Sequence, residues 1–450
     1  MRVDVTRLLV AALVALLPGL PGCAPGADGN GGGDGRPTRL VLVTLDTLRW
    51  DAFAGGPQAP VALAGMSALS REGLVFEQHF TSSSTTQPTH ASLFTGLHPW
   101  EHGVVRNGVV LEGAPTVAEV LSEAGWWTGA AVASFPVTSR FGFGRGFAEF
   151  DEQFEREYVE RWNDEVLEDA AFYRLAGPTL ASAHLMLDVA PSANQFLWVH
   201  LFDPHEPYGD TGTATAVRRA DVIKRVMRRR GDDDEQVNLS RMKRLYREDV
   251  ASLDEELTAF VENLMADDGF QTHLIVTADH GESLGEDGAL GHGRHLTSPE
   301  IHVPLLVFSE GLAPGRRVDP CGSADVFPTL LGLAGVPAPP SSGRDLLAEA
   351  PESPIAMGMR RSFEEAQSEM LLDGQIRRIV GHRFYFIEGE RIVRGNSEAL
   401  SVEGPALSST QEEGLRKLFG TLEASVESLD STEILDAETQ EALRSLGYAR

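Results

Sequence analysis

Residues 39–51 read RLVLVTLDTLRWD. The run Leu40–Leu45 is almost entirely apolar and stops at an acid, Asp46. A continuous apolar run bounded by polar residues is how a strand buried on both faces reads; a half-exposed strand alternates instead. Similar runs recur at Thr128–Ala133, Phe196–Phe202, Leu274–Ala278 and Pro304–Phe308. Between them lie stretches of helical spacing, such as PTVAEVLSEAG (115–125) and REDVASLDEELTAFVENLM (247–265). Strands alternating with helices predict an α/β fold with a mostly parallel central sheet covered on both faces. In such a sheet, ligands collect outside the carboxyl ends of the strands.

Three of these strands end in similar chemistry. LVLVTLD ends in Asp46, FLWVHLFDPH in Asp203 and His205, and HLIVTADHGE in Asp279 and His280. Each has an ordinary structural alternative, since a strand-end Asp often caps the next helix and Asp-Pro favours turns. Gathered on one sheet edge, however, these groups would repel one another and lose solvation, and a divalent cation removes that cost. The stretch TTQPTHASLFTG (85–96) belongs beside them. Pro88 suits the first turn of a helix and Gly96 its end, so Thr86 is expected just before that helix as its cap, where negative charge is favoured.

Composition narrows the rest. The 450 residues exceed one small domain, and a net charge of −28 argues against a nucleic-acid partner, which needs a basic footprint. Two cysteines, Cys23 and Cys321, make no disulfide framework, and Cys321 reads as a small buried thiol. The chain opens with Arg2 and Arg7 around an apolar run, Leu8–Leu17, that is short for a bilayer span and leads to LPGC. This resembles a bacterial lipobox, which implies residues 1–23 as a signal peptide and an exported cell-envelope lipoprotein held to a membrane through lipid on Cys23. Residues 24–37 are rich in Gly and read as a flexible tether. Residues 38–350 read as the catalytic domain. Residues 351–450 read as a small C-terminal α+β subdomain, with hairpin turns at Gly381 and Gly389, a helix over STQEEGLRKLFGTLEASVESL and a last helix stopped by Gly447. The charged stretch 217–249 reads as a helical excursion over the surface with a solvated face; the alternative is a lid offering arginines to an anion.

Taken together, LVTLDTLRWD, TQPTHASLFTGLHPWEHGV, DPHEPY, VTADHGESLGEDGALGHG, EIHVPLLVF and DVFPTLLGLAGVPAP resemble, in order and spacing, the sulfatase branch of the alkaline phosphatase superfamily. The resemblance implies an α/β/α sandwich with a metal at the sheet edge. It places Asp46, Asp279 and His280 at the metal and Thr86 at the nucleophile, also in contact with the metal. It places His205 and His292 where the transferred or leaving group, or a second metal shared with Asp203, is met. His90 falls where sulfatases usually carry an arginine.

Two departures redirect the chemistry. Sulfatases begin the nucleophile motif with a Cys or Ser that becomes formylglycine, and threonine cannot give that aldehyde. The family's second signature, with Lys and His, is missing from GWWTGAAVASFPV (125–137). A threonine with Asp, Asp and His ligands is similar instead to the family's phosphoryl-transferring members. Imidazole suits Zn²⁺ or Mn²⁺ better than Ca²⁺ or Mg²⁺, which remain alternatives. The sequence therefore predicts a metal-dependent hydrolase or phosphotransferase acting on an anionic phosphate or sulfate ester, of a lipid or glycan among others. The alternatives are sulfate-ester hydrolysis without formylglycine, and a non-catalytic envelope protein binding anionic glycans or lipids.

Overall fold

The computed structural model describes residues 35–55, 63–157, 171–210, 232–293, 295–348, 356–361, 367–370, 376–379, 382–388 and 391–427. The leader, Cys23, nearly all of the tether, most of the basic half of the 217–249 stretch, Gly381, Gly389 and Gly447 lie outside them. The opening run becomes β1 (Thr38–Leu45), an interior strand of an eight-stranded sheet that is paired on both sides. Its other strands are β2 (Leu74–Phe76), β3 (Trp127–Val132), β4 (Glu149–Asp151), β5 (Gln195–Leu201), β6 (Gln271–Ala278), β7 (Leu305–Ser309) and β8 (Gly315–Arg317), in the order β8-β2-β7-β6-β1-β5-β3-β4. All five sequence-predicted strands are present. The sheet is mostly parallel, but β7 runs antiparallel to both β6 and β2.

Both faces of the sheet are covered, as the unbroken apolar runs require. Leu40 and Leu42 face one core with α2 (Thr86–Thr95), α3 (Val117–Glu123) and α6 (Val326–Leu333). Val41, Val43 and Leu45 face the other, with α1 (Ala64–Glu72), α4 (Ala176–Val189) and α5 (Asp232–Ala266). The α5 helix refines the reading of the charged stretch. Its acidic half begins this helix, whose solvated face carries the exposed Arg244–Glu248 pair as expected, while Met242, Leu245 and Tyr246 on its other face are wholly buried.

Residues 36–450 form one compact unit. Near its C-terminus, β9 (Ala356–Arg361), β12 (His382–Glu388), β13 (Arg391–Gly395) and β14 (Leu400–Glu403) make an antiparallel sheet. The β12–β13 pair is the expected hairpin. The strand before it, β11 (Ile376–Ile379), pairs back with β10 (Gln367–Met370) instead of forward with β12. Tyr385 and Ile387 pack on Phe80, Leu296 and Ile301, and Phe384 packs on Val105 and on Phe419 of α7 (Ser409–Glu427). No helix among the described residues is long and apolar enough to cross a membrane.

Candidate active site

Strand register builds the site. Leu45 pairs with Ala278 on one side and with Leu201 on the other. The next residues, Asp46 and Asp279, therefore leave the same sheet edge together. Immediately after Asp46 the chain turns sharply, for Thr47 has φ 58, a conformation that a β-branched residue rarely adopts. The turn aims the Thr47 amide at Asp279 Oδ1, 3.3 Å away, and Tyr246 of α5 holds the Thr47 carbonyl through its hydroxyl at 3.0 Å.

Asp46, Asp279 and His280 are wholly buried, and one ligand atom from each lies within 4.8 Å of the others. His280 Nε2 is 3.7 Å from Asp46 Oδ1 and 3.5 Å from Asp279 Oδ2. Its Nδ1 is 3.0 Å from the Gly281 carbonyl, so Nδ1 carries the hydrogen and Nε2 is the ligand nitrogen. Both Asp46 oxygens and Asp279 Oδ2 are buried without a hydrogen-bond partner. Burial, reinforced by Asp279 and Glu282, pushes the Asp46 carboxyl well above its ordinary pKa. Three orphaned carboxylate oxygens beside an imidazole fit a divalent cation, because buried acceptors are otherwise satisfied. Among the described residues no second group of this kind forms. Asp203 is not brought into one: its Oδ1 accepts the Ala176 amide at the start of α4, so it caps that helix.

Thr86 comes from α2. It is the first helical residue, with Thr85 preceding it as the N-cap, and no side chain caps that end. The expected capped helix is therefore corrected at its start and holds at its end, where Gly96 is left-handed at φ 68. Thr86 Oγ1 is 3.3 Å from His280 Nε2. Asn107 Oδ1 accepts the next amide, Gln87 N, at 2.9 Å.

His90, one turn along α2, contacts the Thr86 backbone. Its Nδ1–H donates to the Thr86 carbonyl at 2.9 Å, and its Nε2 lies 3.1 Å from Thr44 Oγ1. Burial holds the ring neutral, so Thr44 donates to it. The Thr44 hydroxyl also accepts Trp198 Nε1–H at 3.0 Å and meets His200 Nδ1 at 3.4 Å. His200 is likewise held neutral by burial. Its Nε2 lies 2.9 Å from Ser134 Oγ and 3.7 Å from Asp46 Oδ2. This buried network was not foreseen; its signal is a histidine inside the apolar strand FLWVHLF.

His292 packs beside His280, and His205 beside His292. The His205 ring stacks on Phe202 at 4.2 Å and lies 5.0 Å from the His292 ring, which is 4.4 Å from that of His280. Burial, then His292, lowers the His205 pKa to about 4. Glu282, also unforeseen though it ends the motif DHGE, lies 3.2 Å from His292 Nδ1 and accepts the Tyr208 hydroxyl at 2.8 Å.

Comparison with known proteins agrees with this architecture. The family model described as Sulfatase matches residues 38–336. Choline-sulfatase of Rhizobium meliloti is 25% identical over 366 residues, covering 67% of this chain and 68% of that protein. The uncharacterized sulfatase YidJ of Escherichia coli is 22% identical over 349 residues, 68% of this chain and 69% of YidJ. Among solved structures, the phosphonate monoester hydrolase of Agrobacterium radiobacter superposes with a TM-score of 0.63 at 18% identity, covering 87% of this chain and 96% of that one. BT4656, in complex with its substrate D-glucosamine-2-N,6-O-disulfate, superposes with a TM-score of 0.67 at 15% identity, covering 88% of this chain and all of that one.

Proposed function

Because the chain belongs to the sulfatase family, its family model spanning residues 38–336, we propose that it cleaves or transfers an anionic ester, with Thr86 attacking phosphorus. The observation that carries this reading is Thr86 Oγ1 at 3.3 Å from His280 Nε2, within a buried set that leaves three carboxylate oxygens without partners.

Thr86 sits at the first turn of a ten-residue helix, where the amide dipoles favour an approaching anion. Asp46, Asp279 and His280 would hold a cation such as Zn²⁺ or Mn²⁺, which would supply Lewis acidity that lowers the pKa of a nearby hydroxyl. His90 fixes the Thr86 backbone through its carbonyl. His205 and His292 line the side from which the ester's other oxygens and the leaving group are met. Attack by Thr86 Oγ1 forms an O–P bond as the leaving alcohol departs. Water or an acceptor alcohol then attacks phosphorus and frees the threonine. A sulfuryl intermediate released by the other hydroxyl of a formylglycine hydrate needs a group that threonine lacks.

Sulfate-ester hydrolysis is the second reading, favoured by the sulfatases among its relatives. One assay separates the two: p-nitrophenyl phosphate, bis(p-nitrophenyl) phosphate and p-nitrophenyl sulfate, each with Zn²⁺, Mn²⁺ and Ca²⁺. Phosphate-ester turnover is expected to dominate, and Thr86→Ala to lower kcat/KM by roughly 10³-fold or more with the fold intact. Wild-type turnover in Thr86→Ala removes the nucleophile assignment. Turnover of the sulfate probe alone moves the reading to sulfur.

A further inference from the structure

Glu282 is wholly buried, yet it is not one of the three residues gathered for the cation. Its Oε2 accepts the Tyr208 hydroxyl at 2.8 Å, and its Oε1 lies 3.2 Å from His292 Nδ1. A carboxylate can only accept here, so Nδ1 carries the hydrogen and any exchange with an ester goes through Nε2. The contacts tie together two loops that leave different strands. Tyr208 follows β5 on the loop that also carries His205, whereas Glu282 and His292 follow β6.

We infer that Glu282 is a positioning residue that acts through His292, with Tyr208 holding the carboxylate in turn. The inference rests on the ester-cleaving reading above. An imidazole turns readily about its bond to Cβ, and packing at 4.4 Å and 5.0 Å against the rings of His280 and His205 limits its place more than its direction. The carboxylate sets both direction and tautomer. A misplacement of about 1 Å at a reacting group costs on the order of 10²-fold in rate.

A buried, hydrogen-bonded acid could equally serve stability alone, and a double-mutant cycle distinguishes the roles. The probe is whichever of p-nitrophenyl phosphate, bis(p-nitrophenyl) phosphate and p-nitrophenyl sulfate the metal-loaded wild type turns over fastest. Glu282→Gln is expected to lower kcat/KM roughly 10- to 100-fold, chiefly in kcat, with metal content unchanged. His292→Ala is expected to lose at least as much. In the His292→Ala background, Glu282→Gln should then cost less than about twofold. Tyr208→Phe should show a smaller loss that also vanishes without His292, and it carries the test if Glu282→Gln does not fold. Losses that multiply in the double variant, wild-type turnover in Glu282→Gln, or loss of its metal each overturn the inference. A wild type inactive on every phosphate and sulfate probe overturns the ester-cleaving reading and this inference with it. An active wild type with multiplying losses overturns this inference alone.

Discussion

At Asp203 the carboxylate shares the edge of the site but turns toward α4, where Oδ1 accepts the Ala176 amide at 3.2 Å and Oδ2 is buried without a partner. Burial raises its pKa to about 7. The sign of the resulting pH dependence follows directly. Between the unfolded carboxyl value near 4 and about 7, the folded state keeps a proton that the unfolded state has released. Asp203 therefore makes the protein less stable as pH rises through that window, by an amount on the order of a few kcal/mol. Asp203→Asn keeps the capping oxygen and abolishes the titration. Chemical denaturation from pH 5 to pH 8 should show wild-type stability falling relative to the variant as pH rises. A difference that stays constant across that range rules out the shifted carboxyl. The same residue shows where sequence reading stops, because an acid at a strand end reads alike whether it meets a metal or caps a helix. Only the direction of its oxygens distinguishes the two.

Helix α2 carries Thr86 at one end and is anchored at the other by Gly96. All ten of its residues are buried, so its placement depends on close fits rather than on an exposed capping group. Gly96 is left-handed, and a Cβ there would lie 2.7 Å from Ser341 Cβ and 2.8 Å from Phe327 Cδ1. Its carbonyl also accepts the amides of Ser342 and Gly343. Gly113 is left-handed too, but a Cβ there meets nothing within 4 Å. Gly113→Ala should therefore cost about 1–2 kcal/mol from backbone conformation alone. Gly96→Ala should cost that plus overpacking of roughly 1–3 kcal/mol more. Equal costs in urea denaturation would show that the Ser341–Phe327 contact carries no strain. The helix and its glycine stop were legible in TTQPTHASLFTG because Pro and Gly act through the local backbone. The cap was not, since Thr85 and Thr86 look alike in sequence and only the helix start separates their positions.

The whole sheet converges on one polar cluster assembled from residues 46, 86, 279 and 280. Its strands were legible because burial on both faces leaves unbroken apolar runs, and its edge was legible because parallel strands share a direction. His200, Thr44 and Glu282 were less so, for a buried polar residue shows its purpose only through partners distant in sequence. That same long-range assembly sets the last prediction. A cation that binds only the folded chain stabilises it by about 3 kcal/mol at a hundredfold excess over Kd, which for a protein of this size is about 3 °C in Tm. Chelation should lower Tm accordingly, and Zn²⁺ or Mn²⁺ should restore it more fully than Ca²⁺, given the imidazole ligand. Asp279→Asn sharpens the test. It keeps the Oδ1 that accepts the amides of Thr47 and His280 but removes one of the facing negative charges. In chelator the variant should be at least as stable as wild type, having shed a buried repulsion. With metal it should be less stable, having lost a ligand. A variant that loses the same stability in both conditions would mean that Asp279 serves packing rather than a cation.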